Sequence, residues 1–264
     1  MAPRKARAIA VRSAATVAAA RRAALREALD QVLANIPGTL TGKDPEYLHQ
    51  MRVGTRRLRA ALRVYRGTMQ RKDERVLLRT LRKIADASGP ARDWDVNAPR
   101  LPVSLRPEAA RRRRAAHARL RRVIGAMQLW MLPRGLAGTR PALDAFAREV
   151  LDSLDRKAMR KGQGIGWKRA QQRHALRIRL RRLRYACEFL RGAFPGRDSE
   201  PLVLSLKQLQ DLLGELNDQE VARRLTQELT GKRQTRLASI RERRLLRRLP
   251  ATWKRFTAAP RFWR

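Results

Sequence analysis

A single cysteine, Cys187, stands among 264 residues. That excludes an internal disulfide framework and suits a reducing compartment, and the apolar neighbours of Cys187 make it a packing residue rather than a nucleophile. Histidine is nearly as scarce. With three His, one Cys and no spacing that sets ligands a helical turn apart, no zinc site is expected, nor any other metal or cofactor. Only 13 residues are Phe, Trp or Tyr, several of them at apolar helical positions or at the tail. They do not alternate with the basic residues, so stacking platforms for bases are missing. Long apolar runs are missing too. "VIGAMQLWML" at 123–132 is about half the length that crosses a bilayer. At the N-terminus Arg12 and Arg21-Arg22 interrupt the apolar stretch, so it reads neither as a signal peptide nor as a span. A cytoplasmic protein with no membrane partner is expected.

Acidic residues are few: 23 Asp and Glu face 62 Lys and Arg, a net charge of +39. Self-repulsion on that scale favours a polyanionic partner. Of the cations, 52 are arginine and 10 lysine, and a planar guanidinium grips phosphate in two places where an ammonium is a point charge.

Helical periodicity dominates, and no stretch shows the alternation of a half-buried strand, so the fold class is all-α. The pattern predicts helices over 8–35, ending at "NIPG"; from Asp44-Pro45 to about 69; over 72–88, stopping at "SGP"; and over 107–130. "RDWDVNAPRLPVSLRP" reads as irregular, and "MLPRGLAGTRP" reads as a junction. Beyond it come helices near 141–160, 168–193 and 201–213, then one over 219–249 broken at Gly231. The expected architecture is two four-helix bundles, residues 1–133 and 134–264, related by internal pseudo-twofold symmetry with a central basic cavity.

The repetition is explicit in two segments. "HQMRVGTRRLRAALRVYR" from His49 and "HALRIRLRRLRYACEFLR" from His174 share eight of 18 residues without a gap. The offset of 125 also carries Gly89 onto Gly214 and Asp93 onto Asp218. Such self-similarity marks an internal duplication. On a helix, His49, Arg52, Arg56, Arg59 and Arg63 fall within about 80°, beside the apolar stripe rather than opposite it. His174, Arg177, Arg181 and Arg184 form the same band in the second copy, where Glu188 replaces Arg63. Charges next to a buried face line a groove and are tolerated only when neutralised. Their rise of roughly 4.5–6 Å suits repeated anionic groups on a flexible chain.

Arg82 and Lys207, equivalent under the offset, are second-tier contacts, with Arg75 and Arg79 adding charge. Arg57 and Arg182 point away and are assigned to the surface or to ion pairs. Asp93 and Asp218 are caps or turn residues, or they orient arginines. The histidines serve as hydrogen-bond donors that gain charge as an anion binds. His117, within "RRRRAAHARLRR", has no repeat partner and reads as surface.

These motifs, with "GPARDWDV", "LKQLQDLLGELND" and the closing "PRFWR", resemble the conserved histidine α-helical domain (CHAD) family over nearly the whole chain. The resemblance implies two four-helix bundles around a central basic cavity or pore that binds inorganic polyphosphate, and association with polyphosphate granules. It places His49, Arg52, Arg56, Arg59, His174, Arg177, Arg181 and Arg184 on the polyphosphate-facing helices. It also implies a stand-alone member, since no strand of alternating glutamates marks the triphosphate tunnel module to which members are commonly fused. Ala85, at the place of Gln210, departs from the pattern and suggests a looser first half.

Three functions compete. A non-catalytic polyphosphate binder with no catalytic residues fits best. A nucleic-acid-binding basic protein is the alternative, weakened by the absence of base-reading motifs. A phosphoanhydride-cleaving enzyme would need metal-holding carboxylates, which both motif helices nearly lack.

Overall fold

A computed structural model describes residues 2–9, 16–127, 134–135, 142–231 and 239–264. Among these the chain is all-helical, with no strand and one isolated bridge between Met69 and Gly135. The helices are α1 (Val17–Thr41), α2 (Pro45–Val64), α3 (Arg71–Asn97), α4 (Arg106–Gly125), α5 (Leu143–Gly162), α6 (Ala170–Leu190), α7 (Glu200–Thr230) and α8 (Ile240–Ala258). The first four belong to one compact unit and the last four to a second. Most of the expected junction segment, residues 131–133 and 136–141, lies outside the described residues. In each unit the helices pack in chain order, each against the next.

In the first unit α1 and α2 approach closely because the contact is made of small groups. Ala20, Ala24 and Ala28 of α1 are buried. A Cβ added to Gly54 of α2 would come within 3.0 Å of the Val32 backbone nitrogen. An N-terminal arm is tied across both helices: Arg4 exchanges backbone hydrogen bonds with the Asn35 amide at 3.1 and 2.9 Å, and its guanidinium donates to Glu27 at 2.8 Å.

Helix α2 starts as expected, the Asp44 carboxylate accepting from the Glu46 N–H at 2.8 Å with Pro45 in the first turn. It ends at Val64 rather than near 69, ahead of a turn with Gly67 at φ 82°. Other boundaries differ more. Residues 8 and 9 are not helical, and α1 passes through Pro37 to stop at Gly42, left-handed at φ 65°.

The expected stop at Gly89-Pro90 does not occur. α3 continues to Asn97, so all of "RDWDVN" is helical. The buried stripe Leu81, Ile84, Ala87, Ala91 and Trp94 runs straight through. Burying large side chains at about 1.5–3 kcal/mol each outweighs an interior proline, which costs about 3 kcal/mol. α7 likewise passes "GELND", because Leu209, Leu212, Leu213 and Leu216 continue its buried face. Asp93 and Asp218 are therefore interior helical residues, not caps. The break at Gly231 is present, as a left-handed C-cap at φ 65°.

The second unit is closed by its tail. Trp263 is fully buried and donates from its indole nitrogen to Asp152 at 2.9 Å. Arg261 makes a two-point contact with the buried Asp155, at 3.1 and 3.0 Å, and lies over the Phe256 ring.

Candidate functional site

The repeated segments form α2 and α6. Leu48, Met51, Leu58, Leu62 and Tyr65 are buried on α2, as are Leu176, Leu180, Leu183, Cys187 and Leu190 on α6. His49, Arg52, Arg56 and Arg59 are half-buried along the border of the first stripe, and Arg63 is exposed on the last turn. Along the second, Arg177, Arg181 and Arg184 are half-buried and His174 is exposed. The amphipathic spacing thus holds the cations where the helix leaves the core.

In the first unit α3 completes the row. Arg52 donates to Ser88 Oγ at 2.9 Å. Burial, then Arg56 and Arg92, push its guanidinium down to about 10, with Asp93 opposing. Arg59 is also lowered, by burial foremost and by Arg82, with Asp86 opposing. So Arg82, exposed and 3.8 Å from Asp86, shares the field of the row. His49 is held below its ordinary value by burial, then by Arg92, against the pull of Glu46. The Nε atoms of Arg56 and Arg59 are buried without a hydrogen-bond acceptor. This is a set of partly desolvated, mutually repelling cations with unused donors.

The second unit repeats the plan with different electrostatics. His174 Nδ1 lies 3.2 Å from Asn217 Oδ1. Arg184 has a buried Nε without an acceptor and sits over the Tyr185 ring at 5.2 Å. Lys207 is exposed on α7, the helix packed against α6.

Two features escaped the sequence reading. The glycines equated by the offset are not helix stops: a Cβ at Gly89 would lie 3.7 Å from Arg52 Nη1, and one at Gly214 would lie 3.9 Å from Arg177 Nη2. Each keeps the flank of its arginine uncovered. Arg92, which maps onto Asn217 under the same offset, donates to the Pro45 carbonyl at 3.3 Å and crowds His49. The signal was available in the shared position beside each histidine.

Two surface assignments are corrected. Arg57 is buried and donates to the Arg7 carbonyl at 3.2 Å, because the N-terminal arm covers that side of α2. His117 is also buried, with Nε2 2.9 Å from Asp95 Oδ1, which Arg113 meets at 2.6 Å. It ties α4 to α3 instead of facing solvent.

Against known proteins, the sequence profile of the CHAD domain matches residues 23–227. The chain belongs to the CHAD domain family. The crystal structure of the CHAD domain from the plant Ricinus communis is 28% identical, with a TM-score of 0.73 and 98% of each chain covered. PptA from Streptomyces chartreusis is 14% identical with a TM-score of 0.65, covering 90% of this chain and 96% of that one, and is a likeness of fold alone. No curated protein matches the sequence. In this CHAD domain, no three His, Cys, Asp or Glu among the described residues group to hold a metal ion. None of its described helices is long and apolar enough to cross a membrane. Chemically, the rows offer forked donors three or four residues apart along each helix.

Proposed function

We propose that this CHAD domain binds inorganic polyphosphate without cleaving it, in the cytoplasm and on polyphosphate granules. The observation that carries the reading is the row His49, Arg52, Arg56 and Arg59, half-buried beside Arg82 and Arg92, with unused Nε donors on Arg56 and Arg59. Like charges held together out of water are stabilised by a ligand that neutralises them in series, and a linear phosphate polymer does so with released counterions adding affinity. His49, Arg52, Arg56, Arg59, Arg63, Arg82, His174, Arg177, Arg181, Arg184 and Lys207 are the proposed contacts, with Arg92 added. The reading includes the pseudo-twofold relation of two four-helix halves around a basic cavity, so that one long chain engages both rows.

Calorimetric titration with polyphosphate of the wild type and of an Arg52→Ala/Arg177→Ala variant tests the assignment. Affinity falls by about 100-fold, at 1.5–3 kcal/mol per charged contact allowing for non-additivity; unchanged binding refutes the site. Displacement of long-chain polyphosphate by nucleic acid at equal phosphate concentration would shift the reading to nucleic acid. Release of orthophosphate by protein and magnesium would make it an enzyme.

A further inference from the structure

Outside these rows, some exposed arginines have an acidic partner. Arg26 meets Asp30, Arg111 meets Glu108, Arg224 meets Glu228 and Arg241 meets Glu215. α4 and α8 carry paired arginines of this kind, Arg111 and Arg241, and unpaired ones beside them. Arg119 and Arg122 on α4, and Arg244, Arg247 and Arg248 on α8, are exposed, and none pairs with a carboxylate among the described residues. The one acid of α8, Glu242, is buried and bonded to Arg223 at 3.0 Å.

These residues also repeat. The offset of 125 carries Arg119 onto Arg244 and Arg122 onto Arg247, with Leu120 onto Leu245 and Ile124 onto Leu249. All four of those apolar residues are buried. The duplication has kept a core stripe and an outer cation row together on the last helix of each unit. Arg244 and Arg247 point more than about 100° from the buried stripe of α8. In the first unit Arg119 and Arg122 join Lys83 of α3 around a cavity of ≈ 690 Å³. Like charges three and four residues apart weaken a helix by about 0.2–0.5 kcal/mol per pair, so α8 carries Arg244, Arg247 and Arg248 at a loss that a bound polyanion reverses. The family match ends at residue 227, before α8 begins.

We propose that the outer faces of α4 and α8 are a second class of polyphosphate contact, so that one molecule bridges separate chains and condenses them. This rests on the polyphosphate reading above. The spacing of about 4.5–6 Å is that of the α2 and α6 rows. The five arginines have no aromatic ring among them for a base to stack on, which favours a bare phosphate polymer over nucleic acid.

The test compares wild type with Arg119→Gln/Arg122→Gln/Arg244→Gln/Arg247→Gln and with the same four positions changed to Lys. Short-chain polyphosphate is titrated calorimetrically, and light scattering follows mixtures with long-chain polyphosphate. The Gln variant keeps short-chain affinity within about threefold yet scatters at least about tenfold less, because bridging requires a second contact. The Lys variant, keeping the charge, still condenses long chains. Scattering of the Gln variant equal to wild type overturns the inference alone. So does a loss of short-chain affinity matching Arg52→Ala/Arg177→Ala, which would merge the two surfaces. Condensation of duplex DNA but not of polyphosphate overturns the choice of partner, and a wild type that binds no polyphosphate overturns both readings.

Discussion

His49 and His174 occupy matched places in the sequence but different fields. His49 is half-buried against Arg92, Arg56 and Arg52, which with burial hold it below its ordinary value near 6.5. His174 is exposed beside the neutral Asn217. The sign follows. In the free protein the folded state disfavours protonated His49, so acidification from neutrality lowers folding stability. A bound polyanion cancels the arginine field and raises the His49 value, so binding takes up a proton and affinity rises as pH falls. Binding is therefore tighter at about pH 5.5 than at about pH 8. Calorimetry in buffers of different ionisation enthalpy measures the uptake, and His49→Asn removes most of it.

Among the elements, α1 and α2 depend on the missing side chain at Gly54. Its virtual Cβ meets Val32 at 3.0 Å and the Ala28 carbonyl at 3.3 Å, and backbone cannot step aside as a side chain can. Gly54→Ala therefore destabilises the protein by about 1–3 kcal/mol despite the better helix propensity of alanine. The readout is a lower denaturant midpoint with unchanged slope. In the second unit Asp155 is almost fully buried and held by Arg261 and Arg264 at 3.0 and 3.3 Å. Asp155→Ala strands the buried Arg261 and costs about 3–5 kcal/mol, seen as early thermal unfolding. Removing both partners, in Asp155→Ala/Arg261→Met, recovers part of that loss.

For the whole molecule, a charge of +39 sets how binding responds to salt. Six to eight neutralised phosphates, at about 0.7 counterions each, give a slope near −4 to −6 in log affinity against log salt. Arg56→Ala/Arg181→Ala flattens that slope by about one to two, measured by titration across a salt series. A variant that weakens binding without changing the slope would show that these arginines position neighbours rather than touch phosphate.

The all-helical class and the amphipathic helices that carry the cation rows were legible in the chain, because amphipathic period and internal duplication are local, countable properties of Arg52, Arg56, Arg59 and their counterparts. Proline and glycine misled at Pro37, Gly89-Pro90 and Gly214, where local breaker preference lost to continuous apolar stripes. The burial of Arg57 under the N-terminal arm, the His117–Asp95 pair and the pressure of Arg92 on His49 all depend on residues far apart in sequence. Burial and field are properties of neighbours in space, and only packing decides which neighbours a side chain has.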